Sequence, residues 1–288
     1  MTVAIVTDST AYLTADEIKN LKIEVVPIPV IIDGTTYQEG IDLKRESFYD
    51  LLAQAEHFPT TSQPAVGEWL TLFERLKQAG YDEALVINLS STISGAGQTV
   101  AGLATSISDF KVHAYDSKLT VRIMGQLVLK AAQMAQEGAS VETITHTLDA
   151  LRETIDEYFV VDDLQNLSRG GRLSNASALV GTMLKVKPIL TFDPETNYIV
   201  PFEKVRSMKK ALARTEQLFE NAIAEVDYPI HAIVIYSNNA EQAEKWMGEL
   251  QTRFPEVTFE LSYFGPVIGT HLGAGSLALG WMREPDSV

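Results

Sequence analysis

Three short segments concentrate hydroxyl side chains: Thr7-Asp8-Ser9-Thr10, Thr60-Thr61-Ser62-Gln63 and Ser90-Ser91-Thr92-Ile93-Ser94-Gly95. Each follows an apolar strand pattern or precedes a helix pattern. Ser and Thr are favoured at such places because they cap free backbone N–H groups, so capping alone accounts for any one segment. Together they offer hydroxyl and backbone N–H donors suited to one anionic headgroup. Ligands of open α/β sheets usually bind at strand ends, which is where such segments fall.

Other chemistry finds less support. Ser94-Gly95-Ala96-Gly97 has glycines but neither the lysine of a phosphate loop nor the register of a dinucleotide fingerprint. Ser94 does not stand in a nucleophile elbow. Of the five histidines, only His271 has a distinctive setting, inside Gly265-Pro266-Val267-Ile268-Gly269-Thr270-His271-Leu272-Gly273. It reads either as a packed histidine bonded to backbone or as a base for Ser94 assembled in space. No two histidines have metal-ligand spacing, and cysteine is absent, so neither a metal site nor a thiol nucleophile is expected.

Charge adds a second theme. The 23 Lys and Arg against 38 Asp and Glu give a net charge of −15, which repels phosphate backbones and anionic headgroups. Nucleic acid is therefore not an expected partner. Within this acidic chain, Ser168-Arg169-Gly170-Gly171-Arg172 and Arg206-Ser207-Met208-Lys209-Lys210 are local basic clusters. They read as solvated turns or as docking points for something acidic. The N-terminus lacks a basic region followed by a long apolar one, and no apolar stretch is long enough to span a bilayer. The cytoplasm is the expected location, with no stable membrane insertion.

The elements that must position these residues alternate between strand and helix patterns. Strands are expected over Val3–Val6, Ile23–Ile32, Glu83–Leu89 and Lys111–Tyr115. Pro27 and Pro29 confine the second of these to an edge or an irregular path, and Asp33-Gly34 marks a hairpin. Thr14 and Glu17 have capping-box spacing. Pro64 suits the first turn of a helix with Val66, Trp69, Leu70, Phe73 and Leu76 on one face. Helices are expected from Gly95 to Ile107, Leu119 to Glu137 and, after the cap Ser140, Val141 to Ile155. A strand over Tyr158–Val161 then opens a different pattern. It continues with a Gly-rich loop (Leu167–Leu173), a short helix (Asn175–Val186), a hairpin (Ile189–Phe192 with Tyr198–Phe202), a helix (Met208–Val226) and a final αβ arrangement through Tyr263. The expected fold is α/β in two lobes. Residues 1–156 form a mostly parallel sheet with helices on both faces, and residues 157–288 form a smaller α/β lobe with a mixed sheet, the ligand lying between or beneath them.

The segments Thr7-Asp8-Ser9-Thr10, Thr61-Ser62-Gln63-Pro64, Ser91-Thr92-Ile93-Ser94-Gly95, Gly170-Gly171-Arg172-Leu173-Ser174, Lys187-Pro188-Ile189-Leu190 and Gly265 through Gly275 occur in an order and spacing that resembles the DegV family, fatty-acid-binding proteins that serve a bacterial fatty-acid kinase. The resemblance implies a long-chain fatty acid sealed in a two-lobed α/β protein. It implies that Thr61 and Ser94 hold the carboxylate, with His271 near the headgroup and Ser62 and Gly95 as neighbours. It also implies that Arg172 and Arg206 face a separate kinase catalytic subunit, which makes an acyl phosphate from ATP. Nucleotide and metal would belong to that partner, leaving this chain a carrier with no cofactor and no catalytic residue of its own.

Three positions depart from the family pattern. Gly97 stands where members often carry an aromatic residue, Ala274 where they often carry Pro, and Ala65 where a hydroxyl is usual. Gly97 removes bulk near the expected pocket. Two other readings remain open at this point: a hydrolase or transferase using Ser94 and His271, and a sensor of another small amphiphile.

Overall fold

The computed structural model describes residues 2–173 and 186–288. Ser174 and the helix expected over Asn175–Val186 fall, apart from Val186, outside the described residues. The chain divides into two compact units: Met1–Arg45 with Ala55–Glu153, and Glu46–Gln54 with Thr154–Val288.

The first unit is built on four parallel strands. These are β1 (Val3–Asp8), β2 (Glu24–Val26), β6 (Glu83–Asn88) and β7 (Lys111–Asp116), in the order β2-β1-β6-β7. Every residue of β1 and β6 is buried, as expected of apolar runs in a sheet covered on both faces. One face packs Ala4, Val6, Ala84, Val86 and Val112 against α3 (Val66–Gln78) and α4 (Ala96–Ser106) through Trp69, Phe73, Leu76 and Val100. Helix α5 (Val121–Gln136) packs against β1, with α6 (Val141–Arg152) beside it.

A separate three-stranded sheet, in the order β4-β3-β5 with β5 at Thr60–Thr61, belongs to the same unit. Strands β3 (Pro29–Ile32) and β4 (Thr35–Gln38) form the hairpin at Asp33-Gly34. Both turn residues have positive φ, 47° and 80°, the conformation that Asp-Gly supplies in a two-residue hairpin. The Thr14–Glu17 capping box of α1 (Ala15–Leu21) is complete. Glu17 N–H donates to Thr14 Oγ1 at 3.3 Å, and Thr14 N–H donates to Glu17 Oε2 at 2.8 Å.

Several local expectations need correction. The proline-bearing region splits: β2 is an edge strand, but β3 is central, with Pro29 as its first residue, where a strand tolerates a missing donor. Pro64 lies outside α3 rather than in its first turn; Ala65 is the cap, and Glu68 reaches back to accept from Ala65 N–H at 2.8 Å. Val66 and Leu70 are exposed, and Leu72 takes the inward position expected of Leu70.

The second unit carries a mixed six-stranded sheet, β10-β9-β8-β13-β11-β12. Its strands are β8 (Asp156–Val160), β9 (Lys187–Phe192), β10 (Ile199–Val205), β11 (Ile230–Tyr236), β12 (Thr258–Tyr263) and β13 (Leu277–Arg283). Only β11 and β12 run parallel; the other neighbours are antiparallel. Helices α8 (Met208–Ala224) and α9 (Ala240–Arg253) cover one face. There Phe219, Trp246 and Leu250 meet Ala232, Val234, Leu279 and Trp281. The strand β13 was not expected from the sequence, although it lies inside the sheet. The expected Gly-rich loop over Leu167–Leu173 is also shorter, because Gln165–Arg169 form a helical turn, α7.

Helix α2 (Arg45–Gln54) buries only Phe48 completely, and its residues Glu46–Gln54 group with this second unit. Tyr49 Oη donates to the carbonyl of Phe264 at 2.8 Å. Among the described residues, no helix is long and apolar enough to cross a membrane.

Candidate functional site

Thr61 is positioned by a strand rather than by a helix start. Strand β5 (Thr60–Thr61) pairs antiparallel with β3, Thr61 opposite Val30, and Ser62 N–H donates to the carbonyl of Pro29 at 3.1 Å. The hydroxyl-rich segment is thus held at its start as a short ribbon. Thr61 is partly buried and Ser62 exposed.

Ser94 ends the turn that follows β6. Its N–H donates to the carbonyl of Ser90 at 3.1 Å, and its Oγ accepts from the N–H of Ala96 at 3.2 Å. Gly95 caps α4, so Ser94 does stand at a helix start, where free N–H groups and the dipole favour an anion. The Ser94 hydroxyl accepts that N–H and keeps its own proton to donate.

Two carboxylates fix this turn from below. Asp8, at the end of β1, is fully buried. It accepts from Leu89 N–H at 2.8 Å, Asn88 Nδ2 at 3.2 Å, and both Thr10 N–H and Thr10 Oγ1 at 3.1 and 2.6 Å. Burial raises its pKa, and the hydrogen bonds to Thr10, Leu89 and Asn88 oppose that rise. Asp116, at the end of β7, accepts from Ser91 Oγ at 2.5 Å and Ser91 N–H at 3.2 Å. The hydroxyl-rich turns therefore sit at the carboxyl ends of adjacent parallel strands, the usual ligand edge of such a sheet. The sequence showed Asp8 and Asp116 only as polar residues at strand ends. Their anchoring roles appear once β1, β6 and β7 are neighbours.

The segment carrying Thr61 and the helix that follows Ser94 meet through Gln63. Thr99 Oγ1, on the first turn of α4, donates to Gln63 Oε1 at 3.1 Å. A Cβ at Gly95 would stand 2.7 Å from that same oxygen. At Gly97 there is room for a side chain to start: a Cβ there would meet only Asn88 Cβ, at 3.7 Å, an ordinary contact.

In the second unit, His271 lies on α10 (Pro266–Leu272), a short helix rather than a loop. It is 8% exposed. Burial, and then the charge of Arg172, push its pKa down to about 4, so its imidazole is neutral at neutral pH. Gly170 lies directly against it, with a Cβ position 2.4 Å from Nδ1. Arg172 is half-buried, and its Nη1 donates to the carbonyl of Gly170 at 2.6 Å. Burial lowers its pKa. Arg206 is different: it is exposed and lies between the end of β10 and Ser207, which caps α8. The two arginines read as one kind of residue in the sequence thus have different surroundings. Among the described residues, no group of three or more His, Asp or Glu side chains is placed to hold a metal ion.

A family model described as "Uncharacterised protein, DegV family" matches residues 2–284. The chain belongs to the DegV family. A DegV domain-containing protein of Listeria innocua is 50% identical over 279 residues, covering 97% of this chain and 98% of its own length. The crystal structure of DegV from Bacillus subtilis, described as a fatty acid binding protein, superposes with a TM-score of 0.91 at 42% identity, covering 99% of this chain and 100% of that one. A fatty acid binding DegV family protein from Streptococcus agalactiae gives a TM-score of 0.91 at 36% identity, with 99% of each chain covered. The parallel sheet with flanking helices and the mixed-sheet unit are thus the DegV architecture, as the order of the sequence segments implied.

Proposed function

We propose that this chain binds a long-chain fatty acid and presents its carboxylate to a separate kinase. The observation that supports this reading is the bond from Thr99 on α4 to Gln63, which links the segment carrying Thr61 to the helix that starts after Ser94, in a chain whose well-covered structural relatives are described as fatty acid binding. Two hydroxyl donors and a helix start suit one carboxylate, and a carboxylate given several donors stays ionised when buried. The acyl chain contributes about 0.8 kcal/mol for each methylene removed from water.

In this scheme the chain does no covalent chemistry and needs no cofactor. The held carboxylate oxygen attacks the terminal phosphorus of ATP on the kinase, the bond to the bridging oxygen breaks, and ADP leaves. The cationic residues Arg172 and Arg206 belong to the face that meets the kinase. The cytoplasm, where ATP is made available, is the compartment this requires.

Native mass spectrometry of gently purified protein tests the first half: the expected result is added mass equal to a fatty acid. A homogeneous ligand-free species that also takes up no added oleate would overturn it. Incubation of the loaded protein with a fatty-acid kinase and ATP, trapping acyl phosphate with hydroxylamine, tests the second half.

A further inference from the structure

We propose that Gln63 is a positioning residue that clips the Thr61 strand to the Ser94 helix start and so sets the spacing of the two hydroxyls. This rests on the reading that Thr61 and Ser94 share one carboxylate. Two donors can serve the same small anion only if their separation is held to a fraction of an ångström. Thr61 is fixed on one side by the pairing of β5 with β3. Ser94 is fixed by its bonds to Ser90 and Ala96. Between them runs a direct side-chain bond, from Thr99 Oγ1 to Gln63 Oε1 at 3.1 Å.

Gly95 supplies the second observation. The Gln63 carboxamide lies over the first turn of α4, where a Cβ on Gly95 would stand 2.7 Å from Oε1 and 3.7 Å from Cδ. The backbone of Gly95 has φ −83° and ψ −1°, a conformation open to any residue. Glycine is therefore not needed here for the backbone. It leaves room for the Gln63 amide. Because Oε1 is the far end of a flexible side chain, an added methyl would move the amide aside and break its bond to Thr99 without disrupting the fold. Thr99 stands above Gly95 because its N–H donates to the Gly95 carbonyl at 3.0 Å, so one contact region holds all three residues.

The bond is exposed, so it adds little to global stability, and its loss should appear in ligand binding instead. The test uses delipidated full-length protein and cis-parinarate, a fluorescent fatty acid, with Kd and Tm measured on each variant. Gln63→Ala, Thr99→Val and Gly95→Ala should each weaken binding roughly two- to tenfold, the range for one lost hydrogen bond. Thr99→Ser, which keeps the hydroxyl, should bind as the parent does. Gln63→Ala with Gly95→Ala should be no worse than either alone, because both remove the same bond. Gly95→Ala should keep or raise Tm while it weakens binding, since alanine restricts the unfolded chain. A merely structural role would move Tm and Kd together.

Normal binding by Thr99→Val, or a double variant whose loss is the product of the single losses, would overturn the clip. Thr61→Ala and Ser94→Ala are measured alongside. If they weaken binding while the Gln63 and Thr99 variants do not, the clip is wrong and the carboxylate site stands. If they too bind normally, the carboxylate reading fails, and the clip fails with it.

Discussion

Gly170 and His271 are in contact so close that any side chain at position 170 must displace the ring: a Cβ there would stand 2.4 Å from Nδ1 and 3.1 Å from Cε1 of the imidazole. The backbone at Gly170 is ordinary, φ −70° and ψ −12°, so the need for glycine comes from crowding, chiefly by the ring, with the Asn166 carbonyl 3.1 Å from the Cβ position. Unlike the Gln63 amide, this ring is buried and has little room to move. Gly170→Ala should therefore overpack the segment at a cost of about 1–3 kcal/mol, seen as a fall in Tm of several degrees by differential scanning fluorimetry. Adding His271→Ala should recover part of that loss. A single variant with unchanged Tm would show that the ring has another place to go.

Thr61→Ala and Ser94→Ala should each weaken fatty-acid binding by about tenfold or more, because a hydrogen bond to a charged group contributes ~1.5–3 kcal/mol. The pair should be worse than either alone, while acyl burial still supports partial binding. Acyl phosphate formation should fall further than occupancy, since a carboxylate that is bound but unaimed reacts poorly. Ser94 also caps Ala96 at 3.2 Å, so a small loss of Tm is expected for Ser94→Ala alone. Full occupancy and full turnover in the double variant would remove both residues from the site.

The features legible in the sequence were those decided within a few residues. The Thr14–Glu17 box and the Asp33-Gly34 turn depend on side chains three positions apart or adjacent, and both form as the spacing requires. Candidate residues were legible too, because hydroxyls cluster where strand patterns end. What holds them was not. Tyr49 donates to Phe264 across 215 residues, and no local pattern announces that a helix from the first third of the chain groups with the second unit. Strand β13 was missed because its apolar run, Leu277-Ala278-Leu279-Gly280-Trp281-Met282, follows glycines that read as loop and contains one itself. Its membership comes from neighbours on both sides, Tyr158 opposite Leu279 and Val234 opposite that same residue. The exposure of Val66 and Leu70 follows likewise from where the sheet lies, which helical periodicity alone does not reveal.

Arg172 and Arg206 should separate in experiment. Arg206 is exposed, so Arg206→Glu should lower acyl phosphate formation with a kinase while leaving bound fatty acid in place. Arg172 is half-buried, and its charge acts on His271. Arg172→Gln removes that charge, so the His271 pKa should rise from about 4, yet stay below 6.5 because burial is the larger cause. Titration of the His271 ring signals by NMR in parent and variant reads this directly. An unmoved titration would show that Arg172 does not act on the ring, and lipid loss in Arg206→Glu would place that residue in the fold or the headgroup site.

His271 and Glu157 should give the stability of this protein opposite slopes with pH. His271 is held near 4 against 6.5 when unfolded. The unfolded chain therefore binds more protons between those values, and this contribution, on the order of 3 kcal/mol, is present above pH 6.5 and is lost as pH falls toward 4. Glu157 lies on β8 opposite Gly280 and accepts from Phe192 N–H at 3.1 Å and Thr191 Oγ1 at 3.3 Å. Burial first, and then the neighbouring charge of Asp156, push its carboxyl up to about 8 from 4.5. Here the folded state binds more protons, so stability falls as pH rises from 4.5 through 8. Between pH 6.5 and 8 the histidine contribution is constant and that of Glu157 still declines. Glu157→Gln keeps an acceptor for Phe192 and Thr191 and cannot ionise. Its urea midpoint relative to the parent should therefore climb steadily from pH 6.5 to 8. His271→Asn removes the opposing contribution, so its urea midpoint relative to the parent should rise as pH falls from 6.5 toward 4 and stay level between pH 6.5 and 8. A Glu157→Gln variant that tracks the parent at a constant offset across pH 6.5–8 would show that Glu157 is already ionised in the fold.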